Sequence, residues 1–211
     1  VFSALSAVDL GAEVVRSLLA RCSLSVTEVD ELIFGQVLTA GCGQNPARQT
    51  ALRAGLPVSC PAVTVNLVCG SGLKAVQQAV QAIRSGDAQV VIAGGQESMS
   101  NAPYLIDGAR AGLRIGHSSM RDSMIQDGLW DAFNDYHMGV TAENLADRYA
   151  IDRQQQDARQ NGSYGADDDR FGAFLRRQFA TGHGDHHGVI ATEHDVDHHD
   201  LRQCDPKFHR H

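Results

Sequence analysis

The sequence contains very little lysine, with only Lys74 and Lys207 among its 211 residues. Acidic residues outnumber basic ones by 25 to 18, so the formal net charge at pH 7 is −7. A chain with this charge balance has no positive field that would attract nucleic acid or an anionic membrane surface. We therefore expect neither nucleic acid nor a membrane among its partners.

Long apolar runs are also absent from the sequence. No apolar stretch approaches the roughly 20 residues that a membrane-spanning helix needs. The first residues show no charged segment followed by an apolar one, the pattern that is typical of a secretory signal. With 43% hydrophobic residues, the composition is nevertheless sufficient for a sizeable core.

The five cysteines form no Cys-x-x-Cys pair, and their number is odd. Both features are typical of a reduced protein with free thiols rather than of a disulfide framework. The sequence therefore predicts a cytoplasmic protein in which one thiol can be reactive. The cysteines are Cys22, Cys42, Cys60, Cys69 and Cys204.

Helix and strand patterns alternate over the first half of the chain. Apolar spacing predicts three helices, which run over residues 8–21, from Pro46 to a stop at Gly55, and from Cys69 to Gly86. Apolar and β-branched runs predict three strands, over residues 31–38, 62–68 and 90–93. Strands that alternate with helices predict an α/β fold around a mostly parallel sheet.

The sharpest local feature is Cys69, which stands between a predicted strand and a predicted helix and is followed by Gly70 and Gly72. The first N–H groups of a helix lack internal partners and carry the positive end of its dipole, which favours a thiolate over a thiol. The glycines let the backbone turn sharply and let a substrate approach. A thiolate in this place can attack a thioester carbonyl and hold the acyl group. The alternative is a small buried cysteine without reactivity.

Residues 66–73, with the sequence NLVCGSGL, resemble the acyl-enzyme motif of thiolases. Residues 35–49 resemble the second strand, loop and helix of that family, and residues 94–100, GGQESMS, resemble the turn after its fourth strand. Residues 127–131 and 136–144, DGLWD and YHMGVTAEN, resemble loop-domain segments of the biosynthetic, acetoacetyl-CoA-forming branch. The resemblance covers residues 7–157. Related condensing enzymes also place a cysteine at a helix N-terminus, but the segment YHM favours the biosynthetic-type thiolase.

The resemblance implies an acetyl-CoA C-acetyltransferase, which condenses two acetyl-CoA molecules into acetoacetyl-CoA or runs the reverse cleavage. Cys69 would form the acetyl-enzyme, and its N–H would contribute to an oxyanion hole. Leu129, His137 and Met138 would line the pantetheine and acyl pocket, although His137 could instead be a loop histidine bonded to its neighbours. The family needs no metal or prosthetic group, because the coenzyme A thioester is the substrate. Full-length members are homo-oligomers, dimers or tetramers, and residues 114–127 match the tetramerisation segment or form an exposed loop.

The resemblance also predicts how the chain is divided and where it departs from the family. Residues 1–105 would form the thiolase N-terminal α/β domain, with a mixed, mostly parallel sheet and helices on both faces, but without its first strand. Loss of that strand would leave backbone groups of its neighbours unpaired. Residues 106–157 would form part of the loop and tetramerisation region. The C-terminal catalytic half, with its base and second cysteine, has no counterpart, so the alternative function is a catalytically incompetent fragment.

Residues 158–211 resemble nothing in the family, and eight of the ten histidines fall within them. Their low apolar content predicts no packed core. Their excess of His, Asp, Arg and Gly is typical of out-of-frame reading of a GC-rich gene, which predicts a frameshifted or chimeric remnant. The competing interpretation is a metal-binding appendix, because His194, His198 and His199 have a helix-compatible spacing with aspartates beside them. A third hypothesis is therefore a histidine-rich metal-binding protein on an α/β scaffold.

Overall fold

The computed structural model describes residues 3–157 and 188–192. The described residues belong to two compact units, the first with the residues up to Met124 and residues 188–192, the second with residues 125–157. No helix in this part of the chain is long and apolar enough to cross a membrane. The predicted division at residues 105 and 157 stays a prediction.

The first unit alternates helices and strands as the sequence predicts. Its main elements are α1 (Ala7–Cys22), β1 (Glu31–Gly35), α2 (Pro46–Ala54), β2 (Ala62–Val65), α3 (Ser71–Ser85) and β3 (Val90–Gly95). A small antiparallel pair follows, β4 (Tyr104–Ile106) and β5 (Met120–Asp122). Short 3₁₀ helices occupy Val26–Glu28, Met99–Asn101 and Ala109–Ala111.

Local chemistry explains where the helices begin and end. The Ser6 side chain accepts a hydrogen bond from the Asp9 N–H and the Asp9 carboxylate accepts one from the Ser6 N–H, which starts α1 with a capping box. Asn45 caps α2, with Pro46 at the first helical position, where its missing N–H does no harm. Gly55 ends α2 with a φ of +96°, a conformation that glycine adopts without steric strain.

The main sheet has four strands in the order β2-β1-β3-β8, where β8 is Gly188–Thr192. All three strand pairings are parallel. We expected a missing first strand to leave neighbouring strands with unpaired edges, yet β1 and β3 each have a strand on both sides. The expectation is therefore wrong for these two strands, because β1 and β3 pair directly with each other and the backbone of β8 pairs with the outer edge of β3.

Helices lie on both faces of this sheet, as expected. One face carries Leu32, Phe34 and Ile92, which join α1 and α2 in a single apolar cluster. These three side chains are fully buried, and each such burial stabilises the fold by about 1.5–3 kcal/mol. α3 packs on the opposite face, where its first turn lies directly over Gly35 of β1.

Two strands are shorter than the sequence predicts, and both corrections fall at the same edge of the sheet. β1 ends at Gly35 instead of Leu38, because the N–H groups of Val37 and Leu38 donate to the carboxylate of Glu97 instead of to a neighbouring strand. β2 ends at Val65 instead of Val68, because the chain then enters a tight turn into α3. A side chain remote in sequence therefore limits β1, whereas a local turn ends β2.

The second unit is built from short elements. It contains most of the π-helix Met124–Leu129, then β6 (Trp130–Asp131), β7 (Tyr136–His137) and α4 (Met138–Tyr149), with helical residues again at 153–157. β6 and β7 form an antiparallel pair. The Asp131 carboxylate accepts hydrogen bonds from Asn134 and from the Phe133 N–H in the connecting loop, and these bonds lower the pKa of Asp131. None of residues 125–157 is buried.

Candidate active site

Cys69 lies at the junction between β2 and α3, where the sequence predicts it, and its side chain is exposed. The alternative of a buried cysteine is therefore wrong at this position. Gly70 is the N-cap of α3 and supplies no side-chain hydrogen bond to the helix. The positive end of a 15-residue helix thus begins immediately after the cysteine, without a polar side chain that caps it.

The residue before the cysteine has an unusual backbone conformation. Val68 has a φ of +49°, which is rare for a β-branched residue. The Asn66 Oδ1 atom accepts a hydrogen bond of 2.9 Å from the Val68 N–H. The Ser71 hydroxyl accepts one of 2.8 Å from the Leu67 N–H and donates one of 2.6 Å to the Val68 carbonyl. Both side chains hold the turn that carries Cys69.

Gly35 allows α3 to start where it does. A Cβ atom added at Gly35 would lie 2.6 Å from the carbonyl carbon of Ser71 and 2.7 Å from the Gly72 nitrogen. Contacts this short would require the first turn of the helix to move. The absence of a side chain at residue 35 therefore sets the distance between β1 and the start of α3.

Buried polar groups tie together the carboxyl ends of β1 and β3. The Glu97 carboxylate accepts hydrogen bonds from the N–H groups of Val37 at 2.8 Å and Leu38 at 3.2 Å. Burial raises the pKa of Glu97, and these two hydrogen bonds oppose that rise.

A second set of polar side chains is also buried, and one of them, Gln96, is next to Glu97 in sequence. Thr50 Oγ1 donates to Gln96 Oε1 at 2.6 Å, and Gln96 Nε2 donates to Gln36 Oε1 at 2.9 Å. Gln36 Nε2 then donates to the Leu38 carbonyl at 3.0 Å. The Gln36 N–H also donates to the Val65 carbonyl at 3.0 Å, so this network adjoins the end of β2, which leads into the turn that carries Cys69. The sequence analysis did not single out Gln36, Gln96 or Glu97 as buried polar residues, although Gln96 and Glu97 lie within the GGQESMS segment.

The other cysteines of the described chain are less accessible than Cys69. Cys60 is buried, and burial raises the pKa of its thiol. Cys22 and Cys42 are half-buried. Among residues 3–157, Cys69 is therefore the exposed thiol.

Two cavities of the first unit lie away from this cysteine. One of about 340 Å³ is lined by Leu38, Cys42, Arg53 and Asn101 among others, and one of about 390 Å³ by residues that include Glu31 and Gln78. Cys69 lines neither cavity. Residues 66–69 of the cysteine turn are exposed.

Leu129, His137 and Met138 belong to the second unit. Trp130 pairs with His137, and this register places Leu129 and Met138 at the same end of the β6–β7 ladder. The Nδ1 atom of His137 accepts a hydrogen bond of 3.0 Å from the Gly139 N–H and caps α4. His137 and Met138 are exposed, and Leu129 is half-buried.

A metal site is not formed by the part of the chain that the structure describes, where no group of three or more His, Cys, Asp or Glu side chains converges. His194, His198 and His199, the predicted alternative ligands, lie outside the described residues. The metal-binding interpretation of the tail stays a prediction.

Residues 1–171 match the family described as "Thiolase, N-terminal domain". The chain therefore belongs to the thiolase family. Its first 157 residues also contain the segment NLVCGSGL on which the family resemblance rests, with Cys69 exposed at the start of α3.

Several curated relatives are named acetyl-CoA acetyltransferase. The chain is 65% identical to the one from Pseudomonas aeruginosa over 150 residues, which make up 71% of this chain and 38% of the relative. It is 62% identical to that of Allochromatium vinosum over 156 residues, 74% of this chain and 40% of the relative. A probable acetyl-CoA acetyltransferase of Escherichia coli is 60% identical over 153 residues, 72% of this chain and 39% of the relative. The chain thus spans about two fifths of the length of these relatives.

A solved structure supports the fold. The thiolase of Ascaris suum, crystallised in complex with coenzyme A, matches with a TM-score of 0.71 and 37% sequence identity. The match covers 84% of this chain and 46% of that thiolase. The predicted α/β thiolase N-terminal fold is confirmed.

Proposed function

We propose that Cys69 is the nucleophile of an acetyl-CoA C-acetyltransferase, and that it takes up an acetyl group from acetyl-CoA. The observation that carries this proposal is the exposed thiol at the N-terminus of α3, in a turn held by Asn66 and Ser71. A helix N-terminus stabilises a thiolate, which is the attacking species.

The first half-reaction follows from this placement. The Cys69 thiolate attacks the carbonyl carbon of acetyl-CoA, and the oxygen gains negative charge in the tetrahedral intermediate. The N–H of Cys69 is the donor that we assign to this oxygen. The carbon–sulfur bond to coenzyme A then breaks, coenzyme A leaves as a thiolate that takes up a proton, and a thioester remains on Cys69.

The second half-reaction would join two acetyl groups. A second acetyl-CoA loses a proton from its methyl carbon, and the resulting carbanion attacks the acetyl-Cys69 thioester to give acetoacetyl-CoA and the free thiolate. A positioned base contributes about 10²–10⁴-fold to such a step, and an oxyanion donor about 10²–10³-fold. We assign neither the base nor a donor for the enolate oxygen of the second acetyl-CoA to the described residues, so we propose this step for the whole protein and expect the 211-residue chain to stop at the acyl-enzyme.

We further propose that Leu129, His137 and Met138 line the pantetheine and acyl pocket, with the coenzyme A thioester as substrate. The support is the match of their segments to the family, together with the coenzyme A bound by the Ascaris suum thiolase. A homo-oligomer, dimer or tetramer, is proposed on the same family match. The cytoplasmic location stays a prediction.

The alternative function is a catalytically incompetent fragment. It is favoured by one observation, the span of about two fifths of the relatives' length. The two readings differ in whether Cys69 reacts with acetyl-CoA at all.

Incubation of the purified chain with acetyl-CoA, followed by intact-mass measurement and assay of released coenzyme A, tests the proposal. We expect a mass gain of one acetyl group that is lost in Cys69→Ser and kept in Cys42→Ser, the matched control. Acetoacetyl-CoA should not accumulate. An acetyl group that survives in Cys69→Ser would contradict the assignment, and no acetylation of the wild-type chain would favour the incompetent fragment.

A further inference from the structure

The two polar side chains of the cysteine turn act on the residue before the nucleophile. Asn66 accepts from the Val68 N–H at 2.9 Å, and Ser71 donates to the Val68 carbonyl at 2.6 Å. Ser71 also accepts from the Leu67 N–H at 2.8 Å. The peptide groups on both sides of the Val68 Cα atom are thus held by side chains.

Neither side chain serves as an ordinary helix cap. Gly70 is the N-cap of α3, and Ser71 is already the first helical residue. Its hydroxyl points back to the turn instead of to N–H groups of the helix. Ser71 is buried, with 5% of its surface exposed, so this hydroxyl is shielded from competing water.

The backbone of Val68 explains why such a clamp is needed. A valine disfavours the left-handed conformation, because its branched Cβ crowds the backbone there. Val68 nevertheless has a φ of +49°, and the residue is 47% exposed, so apolar packing does not fix its conformation. Without the two hydrogen-bonding side chains, the turn would relax and Cys69 would move away from the head of α3.

We infer that Asn66 and Ser71 are positioning residues, which hold Val68 in its left-handed conformation and thereby place the Cys69 thiol at the N-terminus of α3. The inference rests on the proposed role of Cys69 as nucleophile. Neither residue touches the substrate in this account. Their effect on the reaction runs through the backbone of Val68.

The test compares Asn66→Ala and Ser71→Ala with Ser6→Ala, which removes the helix cap of α1. Two rates are measured for each 211-residue chain. The first is the rate of acetylation of Cys69 over a range of acetyl-CoA concentrations, and the second is the rate of alkylation of each cysteine by iodoacetamide. We expect the limiting acetylation rate to fall about tenfold or more, since small misplacements of reacting groups have effects of this size. The half-saturating acetyl-CoA concentration should change much less, and alkylation of Cys69 should also slow.

The buried Cys60 separates positioning from loss of folding. In both turn variants Cys60 should stay protected from iodoacetamide, and Ser6→Ala should react at Cys69 like the wild-type chain. Unchanged rates at Cys69 in both turn variants would overturn the inference. A slower Cys69 accompanied by rapid labelling of Cys60 would also overturn it, because it would assign the two residues a general structural role.

A rescue variant tests whether Asn66 acts on Cys69 by holding the backbone conformation of Val68. Asparagine tolerates the left-handed conformation far better than valine, so Val68→Asn should restore most of the rate lost in Asn66→Ala. No restoration would contradict the inference. If the wild-type chain is alkylated but never acetylated, the proposed function fails, while the alkylation rates of the variants still decide the positioning role.

Discussion

The two units of this chain differ in how they hide their apolar side chains. In the first unit, Phe34, Leu32 and Ile92 are fully buried between the sheet and two helices. In the described part of the second unit no residue is buried, and Phe133 is 98% exposed. The apolar residues of α4, Val140 and Leu145, are also exposed.

This difference separates the two groups of proposed site residues. Cys69 lies in a turn that is held by Asn66 and Ser71 of the first unit. Leu129, His137 and Met138 lie where the described residues provide no buried surroundings. The proposed role of the turn that carries Cys69 can therefore be tested in this chain. A substrate pocket around Leu129, His137 and Met138 would need buried surroundings that residues 125–157 do not supply.

The largest effect that distinguishes the units is expected from Phe34→Ala. Removing this fully buried ring should lower the free energy of unfolding by about 3–5 kcal/mol. Leu145→Ala, the matched change on exposed α4, should alter it by about 0.5 kcal/mol or less. Urea unfolding followed by far-UV circular dichroism measures both.

Trp130 offers a separate probe of the second unit, because it is the chain's one tryptophan. Its fluorescence should respond little to Leu145→Ala. If Phe34→Ala and Leu145→Ala lowered the free energy of unfolding equally, the second unit would have a core that stabilises the chain as much as that of the first.

A smaller effect is expected where α3 crosses β1. Gly35→Ala should destabilise the chain by about 1–3 kcal/mol, because its Cβ would press on Ser71 and Gly72. It should also slow acetylation of Cys69. Gly72→Ala is the matched control, since its Cβ would meet only the Gly94 carbonyl oxygen at 4.0 Å. Thermal unfolding of the two variants checks this, and equal destabilisation would refute the close approach.

The smallest effect is a pH dependence at Glu97. Burial raises the pKa of this carboxyl in the folded chain, so protonation favours the folded state. Its contribution to stability is fully present below the unfolded pKa of about 4.3 and is lost as pH rises through the folded pKa. The stability of the wild-type chain relative to Glu97→Gln, which does not titrate, should therefore decrease from pH 4 to pH 7. A relative stability that increases over this range would contradict the burial of Glu97.

The sequence predicts the helices well because their boundaries are set locally. For α2, the residues that start the helix, Asn45 and Pro46, and the residue that ends it, Gly55, lie within ten residues of one another. Strand ends were predicted less well. Just beyond the end of β1, Glu97, about 60 residues away, accepts hydrogen bonds from the N–H groups of Val37 and Leu38, and no local pattern predicts such a contact.

The candidate site shows the same division. The position of Cys69 before a helix follows from its own segment, NLVCGSGL, and the structure places it there. The conformation of Val68 could not be predicted, because a β-branched residue favours a strand and its left-handed turn depends on Asn66 and Ser71. The segment contains both residues, but composition does not reveal which atoms they bind.

The measurement that tests the central claim most directly is the identity of the cysteine that carries the acetyl group. The chain is treated with acetyl-CoA at neutral pH, digested, and the peptides that contain Cys22, Cys42, Cys60 and Cys69 are quantified by mass spectrometry against acetylation of glutathione under the same conditions. Our account predicts that Cys69 alone among these four cysteines is acetylated, and faster than glutathione, since Cys69 is exposed at the start of α3. Acetylation of Cys69 no faster than that of glutathione, or spread evenly over the four cysteines, would contradict it.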